Sequence, residues 1–235
     1  MQMKKIICGA LILALGLCAL GYEVAGGIRD FKAQDRSVTV KGLSERDVPA
    51  NKVTWPLMYK ELGNDPVQMY RILEEKNQKV LAFLKAGGIN EDEISVNPPT
   101  ISDRQADNYG NEIMNYRYKA KSVITVTSTN VEKVRQLISR QADLMKEGIA
   151  LVTPEYDSNP VTYEFTGLND VKPEMVEEAT RNARLTAEKF AADSDCKLGK
   201  IWSASQGQFS IEDRDATTPY IKHIRVVNTI QYGLK

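Results

Sequence analysis

Alanine recurs at every fourth position between residues 179 and 191, which is the spacing of one face of an α-helix. The four positions are Ala179, Ala183, Ala187 and Ala191. Because alanine projects so little from a helix, such a face allows the helix to lie close against a sheet or another helix. The segment from Pro173 to about Asp193 is therefore predicted to be a long, closely packed helix.

Strands are indicated where apolar and polar residues alternate. The first such stretch covers residues 36–43, in which Val38 and Val40 share one face. A second runs from about residue 48 to 59 and contains Pro56, which has no N–H to donate and is expected at a sheet edge or a bulge. Further strands are expected near residues 94–101, 113–127, 149–156, 161–165, 201–211 and 221–232.

Two more helices are indicated by apolar residues at helical spacing. Asp65 is a good N-cap for the first, and Gly87 with Gly88 ends it. The second begins at Thr129 with Glu132 three residues later, the spacing of a capping box. Its expected buried residues are Val134, Ile138, Ala142 and Met145. The order of elements, ββαββαββαββ, predicts an α+β fold of mostly antiparallel sheet with three packed helices.

The composition is that of an ordinary globular protein. The 235 residues include 42% hydrophobic and 26% charged residues, and Lys plus Arg equals Asp plus Glu at 31 each. This balance provides no basic field, so a nucleic-acid partner is not expected. No Pro/Gly/Ser-rich linker divides the chain after its N-terminal segment. We therefore expect an N-terminal anchor and juxtamembrane stretch over residues 1–32 and one domain over residues 33–235.

The N-terminal segment has the pattern of a membrane-targeting sequence. Lys4 and Lys5 precede an apolar run at residues 6–22, and roughly 17 such residues just suffice to span a bilayer. The lysines favour a cytoplasmic N-terminus, with the domain on the periplasmic or extracellular side. We expect an uncleaved single-pass signal anchor in the cytoplasmic membrane, with membrane contact through residues 6–25. In the alternative, Ala19-Leu20-Gly21 is a cleavage site and the domain is secreted to the periplasm.

Three separated blocks of sequence carry a family resemblance. They are residues 38–48 with Ala50 and Trp55, residues 178–191 followed by Leu198-Gly199, and residues 206–214 with residues 218–222. The first reads Val-Thr-Val-Lys-Gly-Leu-Ser-Glu-Arg-Asp-Val, and the second is an alanine-arginine helix. In this order and spacing the blocks resemble the SIMPL-domain family of bacterial envelope proteins, which includes periplasmic immunogenic and oxidative-stress-defence-like members. The third block looks like the ending of a membrane-anchored subgroup, and the resemblance covers about residues 33–235.

The resemblance implies an envelope domain with a tendency to self-associate and a link to oxidative stress or envelope homeostasis. The family has no catalytic motif to carry over, so no catalytic residue, cofactor or metal is expected. The chain is interpreted as a non-enzymatic, membrane-anchored envelope protein that acts by self-association and partner binding. A homo-oligomer is expected, together with an envelope protein partner whose identity the sequence does not give.

The alanine helix is the candidate interface. The residues proposed for it are Ala179, Ala183, Arg184, Ala187 and Glu188. Two interpretations remain open at this stage. The alanine face can pack on the protein's own sheet, with Arg184 and Glu188 pairing four residues apart on the surface. Alternatively, the same face and charges can contact a neighbouring subunit.

Residues able to do chemistry are few. His223 is the only histidine, and Cys196 is the only cysteine outside the apolar segment, which leaves too few ligands for a zinc site. The acidic residues Glu212, Asp213 and Asp215, and the polar hairpin tip at residues 103–112, are interpreted as solvated turns in preference to calcium loops. The alternative functions are a module binding a small ligand or lipid in an apolar cavity and, less favoured, a hydrolase using the carboxylates of residues 212–215.

Overall fold

The computed structural model describes residues 14–26, 36–106, 115–152 and 160–235. Residues 14–26 form helix α1. The other helices are α2 (Pro66–Ala86), α3 (Val131–Ser139), α4 (Ala142–Lys146) and α5 (Leu168–Asp193), with a 3₁₀ turn at Glu91–Glu93. The strands are β1 (Ser37–Pro49), β2 (Lys52–Gly63), β3 (Ile94–Val96), β4 (Thr100–Asp103), β5 (Tyr118–Ser128), β6 (Thr162–Glu164), β7 (Leu198–Gln206), β8 (Ser210–Asp213) and β9 (Ile221–Leu234). The predicted α+β class with antiparallel sheet is confirmed.

The strands of the described residues form two sheets. One has the order β1-β9-β7, with β8 also paired to β9. The other has the order β3-β5-β2-β6, with β4 also paired to β5. By contacts the chain divides into two compact units. The first takes its described residues from Met1–Arg46, Asn169–Ser210 and Ile224–Lys235, and the second from Asp47–Leu168 and Ile211–His223.

The second unit is built around the long β2-β5 pair. These strands are antiparallel and in register from Val53 opposite Ser128 to Gly63 opposite Tyr118. Helix α2 covers one face of the pair, and its buried residues are Met69, Leu73, Val80 and Leu84, the predicted apolar stripe. Beneath them lie the buried β2 side chains Val53, Trp55, Leu57 and Tyr59. The core of this unit therefore follows directly from helical and strand periodicity.

Pro56 lies at a locally open edge of β2, as predicted. On one side it is opposite Thr125 of β5. On the other side β6 pairs only with residues 52–54 of β2, so in the part of the chain described here no β6 residue lies opposite Pro56. A residue without an N–H is tolerated at this position because it removes no ladder hydrogen bond on the open side.

The first unit consists of α5 laid on a sheet. Residues of β1 alternate between buried and exposed, with Val40, Gly42 and Ser44 on the buried face. In β9 the same alternation buries Ile224, Val226 and Ile230, among others. The alanine face of α5 covers these positions, and the core cluster includes Val40, Ala183, Ala187, Ile230 and Tyr232.

The prediction of the second helix is wrong in its continuity, its N-cap and some of its buried residues. The structure divides it into α3 and α4, with Arg140 and Gln141 between them. Its N-cap is Asn130, whose side chain accepts a hydrogen bond from the N–H of Lys133 at 3.1 Å, and not Thr129. The break shifts the helical phase, so the structure buries Val134, Leu137 and Leu144 and leaves Met145 exposed.

Other boundaries also differ from the sequence prediction. The third predicted helix begins at Leu168, and Pro173 lies inside it. The strand expected at residues 94–101 is divided into β3 and β4 by Asn97-Pro98-Pro99, because two successive prolines lack the donors that a continuous ladder needs. The strand expected at 201–211 is divided into β7 and β8 around Gly207. Of the strand expected at 149–156, residues 149–152 are not strand and residues 153–156 lie outside the described residues.

The predicted membrane anchor falls partly outside the described residues, which begin at residue 14. Within the described ranges the structure has no helix both long enough and apolar enough to cross a bilayer.

Candidate functional site

The alanine face of α5 packs on the sheet of its own unit. Ala179, Ala183 and Ala187 have no exposed surface, and Ala191 is 2% exposed. The contact reaches the backbone at Gly42 of β1, where an added Cβ would lie 1.9 Å from the carbonyl oxygen of Ala179. The predicted close approach of this helix is therefore confirmed, and its alanines are in contact with their own sheet.

The two charged residues of the candidate interface lie on the other side of α5. Arg184 donates from Nε to Oε1 of Glu188 at 2.9 Å, and both side chains are largely exposed. This hydrogen bond to the carboxylate raises the pKa of Arg184 above its usual range. The structure thus divides the five candidate residues into three buried alanines and an exposed ion pair, and only the ion pair is accessible to another subunit.

A group of polar side chains joins β1 to the N-terminal half of α5. Ser44 donates from Oγ to Oε2 of Glu178 at 2.7 Å, and Arg46 donates from Nη1 to Oε2 of Glu174 at 2.6 Å. The guanidinium of Arg46 lowers the pKa of the Glu174 carboxyl. The hydroxyl of Ser44 and the guanidinium of Arg46 therefore both donate to carboxylates of α5. These contacts fix the helix on the strand.

Of the remaining acidic candidates, Glu212 is exposed on β8, and Asp213 and Asp215 make contacts with residues close to them in the chain. Asp213 pairs with Lys222, and Asp215 closes its turn by accepting from the N–H groups of Thr217 and Thr218 at 2.9 and 2.8 Å. The hydroxyls of those threonines are the main reason that the pKa of Asp215 is lowered far below its usual range. Among the described residues no group of three or more His, Cys, Asp or Glu side chains could hold a metal ion.

Asp103 at the hairpin tip and the histidine each have a polar side-chain partner. Asp103 accepts from Nε and Nη2 of Arg117 at 3.0 and 2.7 Å, which lowers the pKa of its carboxyl. Nδ1 of His223 lies 2.7 Å from Oδ1 of Asp47. The other polar residues singled out at the tip, Asp107, Asn108, Asn111 and Glu112, lie outside the described residues.

The face of β1 that does not contact α5 is open. Its exposed residues include Thr39, Lys41, Leu43 and Glu45, and Oε1 of Glu45 forms an ion pair with Nε of Arg225 at 3.2 Å. Within the described chain β1 ends its sheet, because β9 is the only strand that pairs with it. The alternation at residues 36–43 predicted this strand, but periodicity alone does not show which strand is at the edge of a sheet.

The outer surface of α5 carries an apolar hollow. Leu185 and Phe190 are 58% and 54% exposed, and with Thr186, Lys189 and Asp193 they line a depression of about 350 Å³. The alanine spacing did not reveal it, because Leu185 and Phe190 are five residues apart on a face that is otherwise polar. A search for large apolar residues outside the alanine stripe would have found both.

A second feature that the sequence did not reveal is an aromatic–arginine stack in the second unit. The guanidinium of Arg135 lies 3.5 Å from the centre of the Tyr220 ring, and Tyr163 meets that ring edge-on at 6.1 Å between centroids. Arg135 also donates to Glu132 at 2.7 Å. The stack borders a cleft of about 570 Å³ that contains the N-terminus of α3. The sequence pointed to this stack only through Tyr220, which belongs to the third resemblance block.

Together these features describe an α+β domain in which the first two resemblance blocks meet, because Gly42 and Ser44 contact Ala179 and Glu178. The chain belongs to the SIMPL family, described as a protein of unknown function (DUF541), whose family model matches residues 38–225. No curated protein matches the chain.

Proposed function

We propose that this chain is a non-enzymatic, membrane-anchored envelope protein of the SIMPL family that acts by self-association and partner binding. The observation that carries the proposal is the edge strand β1, a 13-residue strand that pairs on one side only within the described chain. A long strand edge presents unpaired N–H and C=O groups, which are a template for pairing with a further chain. A role in oxidative stress or envelope homeostasis is the cellular setting that the family resemblance implies.

The contacts of the polar residues support a partner-binding function over an enzymatic one. The hydroxyl of Ser44 and the carboxylates of Glu178, Glu174 and Asp215 make contacts that hold α5 or a turn in place. Catalytic groups usually combine a cleft with a pKa shifted toward the working pH. Here the pKa values of the Glu174 and Asp215 carboxyls are lowered. Both groups therefore stay charged at neutral pH and are poor proton carriers there.

Anchoring favours self-association. The apolar run at residues 6–22, with Lys4 and Lys5 before it, is proposed to hold the N-terminus in the cytoplasm and the domain outside. Restricting the domain to the membrane plane raises its effective concentration, so that weak contacts between copies become populated.

Copurification of two differently tagged copies of the full chain tests this proposal. Both copies are expressed together in a bacterial envelope, extracted in a mild non-ionic detergent and purified through one tag. We expect the second tag to be recovered in a fixed ratio, because the contact forms before extraction. The control mixes separately extracted copies, in which exchange through detergent is expected to be slow. Recovery of only the selected tag from the coexpressed sample would contradict self-association.

A second candidate function, the binding of a small apolar ligand or lipid, is favoured by the hollow on α5. Leu185 and Phe190 provide an apolar floor, and Lys189 places a cation beside it, which suits an amphiphile with an anionic group. Mass analysis of an organic extract of the purified full chain tests it. A stoichiometric lipid that is absent from the extract of a Leu185→Asp, Phe190→Asp variant would support this candidate, and an empty extract would reject it.

A further inference from the structure

No strand of the described residues pairs with the edge of β1 that lies away from β9, and the backbone groups at this edge have a defined orientation. The carbonyl of Arg36 accepts from the N–H of Leu234 on β9 at 2.8 Å. Because the backbone groups of a strand alternate in direction with a period of two, the even-numbered residues of β1 hydrogen-bond toward β9 and the odd-numbered residues point away from it. Consistent with this, the outward carbonyl of Leu43 accepts from Nδ2 of Asn182 at 2.8 Å and not from β9.

The side chains along this edge are arranged symmetrically about Leu43. Lys41 and Glu45 are each two residues from it, on the same exposed face of β1, and they carry opposite charges. Within the described chain no anionic side chain lies within ion-pair distance of Lys41, whereas Glu45 pairs with Arg225. Leu43 is 37% exposed, which is high for a leucine in the middle of a strand.

We propose that a second copy of this chain pairs antiparallel with β1 along this edge, about a two-fold axis through Leu43. This rests on the proposed self-association and specifies the surface that makes it. In this register Lys41 of each copy lies opposite Glu45 of the other, and the two Leu43 side chains meet at the axis. The outward backbone groups of Lys41, Leu43 and Glu45 then form ladder hydrogen bonds between the copies, and Asn182 yields its place at Leu43.

Charge pairing and the apolar contact at the axis distinguish this register from its neighbours. Moving the axis to Gly42 sets Lys41 opposite Leu43 and removes both charge pairs. Moving it to Ser44 sets Lys41 opposite Asp47, but it also sets Leu43 opposite Glu45 and so loses the apolar contact at the axis. An axis midway between two residues would set outward groups opposite inward ones, so no ladder would form. Only the Leu43 axis combines two opposite-charge pairs with a symmetric apolar contact.

Single cysteines on the edge test the register. In the full chain with Cys8, Cys18 and Cys196 replaced by serine, Leu43→Cys places the two thiols on the axis. Residues opposite each other in a hydrogen-bonded antiparallel pair have Cα atoms about 5.5 Å apart, within the range for a disulfide. The matched control Lys41→Cys sets its two thiols roughly 13 Å apart along the strands. We expect mild oxidation to give a covalent dimer from Leu43→Cys and little from Lys41→Cys.

A charge exchange tests the same contact without new thiols. In the Lys41→Glu variant, the new glutamate of each copy lies opposite Glu45 of the other copy. We expect this repulsion to weaken the dimer by about tenfold or more. Adding Glu45→Lys in the same chain restores opposite charges between copies and is expected to restore the dimer. Arg184→Glu, on the outer face of α5, serves as a control that leaves the edge intact. Thermal melting of each variant shows whether its fold is retained.

The outcomes separate this inference from the proposed function. If the wild-type chain is a multimer but Leu43→Cys forms no dimer, or Lys41→Cys forms one more readily, the register is wrong and self-association stands. If Arg184→Glu abolishes the multimer while Lys41→Glu does not, the contact belongs to α5. If the wild-type chain is monomeric in coexpression and in cross-linking, both proposals fail.

Discussion

Gly42 is a residue at which two backbones of the first unit lie in close contact. Its missing side chain lets the backbone of β1 approach the backbone of α5, and an added Cβ would lie 2.4 Å from the nitrogen of Ala183. The sequence contained both halves of this contact, the glycine of the first block and the alanine stripe of the second. It could not pair them, because the contact joins residues more than a hundred positions apart.

Gly42→Ala is expected to lower the free energy of unfolding by about 3 kcal/mol or more, since backbone atoms must move to admit the methyl group. Gly63→Ala is the matched control. Its new Cβ would lie 2.9 Å from Cγ of Met69, part of a flexible side chain that can shift, so a loss below about 1 kcal/mol is expected. Urea unfolding of both variants measures the difference, and equal losses would show that α5 does not lie against Gly42.

Glu93 makes the stability of the second unit depend on pH. Its carboxylate accepts from the hydroxyl of Ser128 and, at 2.9 Å, from the N–H of Asn90, and these bonds lower its pKa below the ordinary 4.5. The stabilisation is fully present above the ordinary pKa and is lost as the pH falls through the lower pKa of the folded state.

Replacement of Glu93 by glutamine should therefore cost stability at pH 7, by a few tenths of a kcal/mol to about 1 kcal/mol, and cost less at pH 3. Glu75→Gln, on the exposed side of α2, controls for the loss of a charge. Melting curves at the two pH values give the comparison. A cost for Glu93→Gln that is unchanged or larger at pH 3 would contradict this assignment.

Among the elements, α2 was predictable and α3 with α4 was not. The bounds of α2 follow from local signals, since Asp65 accepts from the N–H groups of Val67 and Gln68 and Gly87 ends the helix. The break between α3 and α4 falls at Arg140 and Gln141, in a segment with no glycine or proline. Tertiary packing overrides helix propensity there, and a single sequence carries no local sign of it.

The N-cap of α2 gives a prediction at this scale. Asp65→Ala removes the acceptor for two otherwise unpaired N–H groups and is expected to cost about 1 kcal/mol of stability. Asp65→Asn keeps an acceptor oxygen and should cost only a few tenths. Chemical unfolding of the two variants distinguishes the cap from a simple charge effect. Equal losses would indicate that the negative charge at the helix N-terminus, and not the hydrogen bonds, provides the stabilisation.

For the whole molecule, the fold class and the family could be predicted from the sequence. The surfaces proposed to bind another chain, the edge of β1 and the exposed side of α5, could not. The alternation in β1 identified a strand, while its position at the edge of a sheet depends on pairing with β9, as in the contact of Ser37 with Gln231, 194 residues away. The alanine face was correctly predicted to be closely packed, and its burial in its own unit moves the search for a subunit contact to exposed residues.

Native mass spectrometry of the full chain, released from detergent over a range of concentrations, tests the central claim that this protein works by self-association. The account predicts a defined multimer, with a mass that is a whole multiple of the chain mass and nothing bound. A monomer at every concentration, carrying a reproducible additional mass, would contradict it and would make the protein a ligand-binding module.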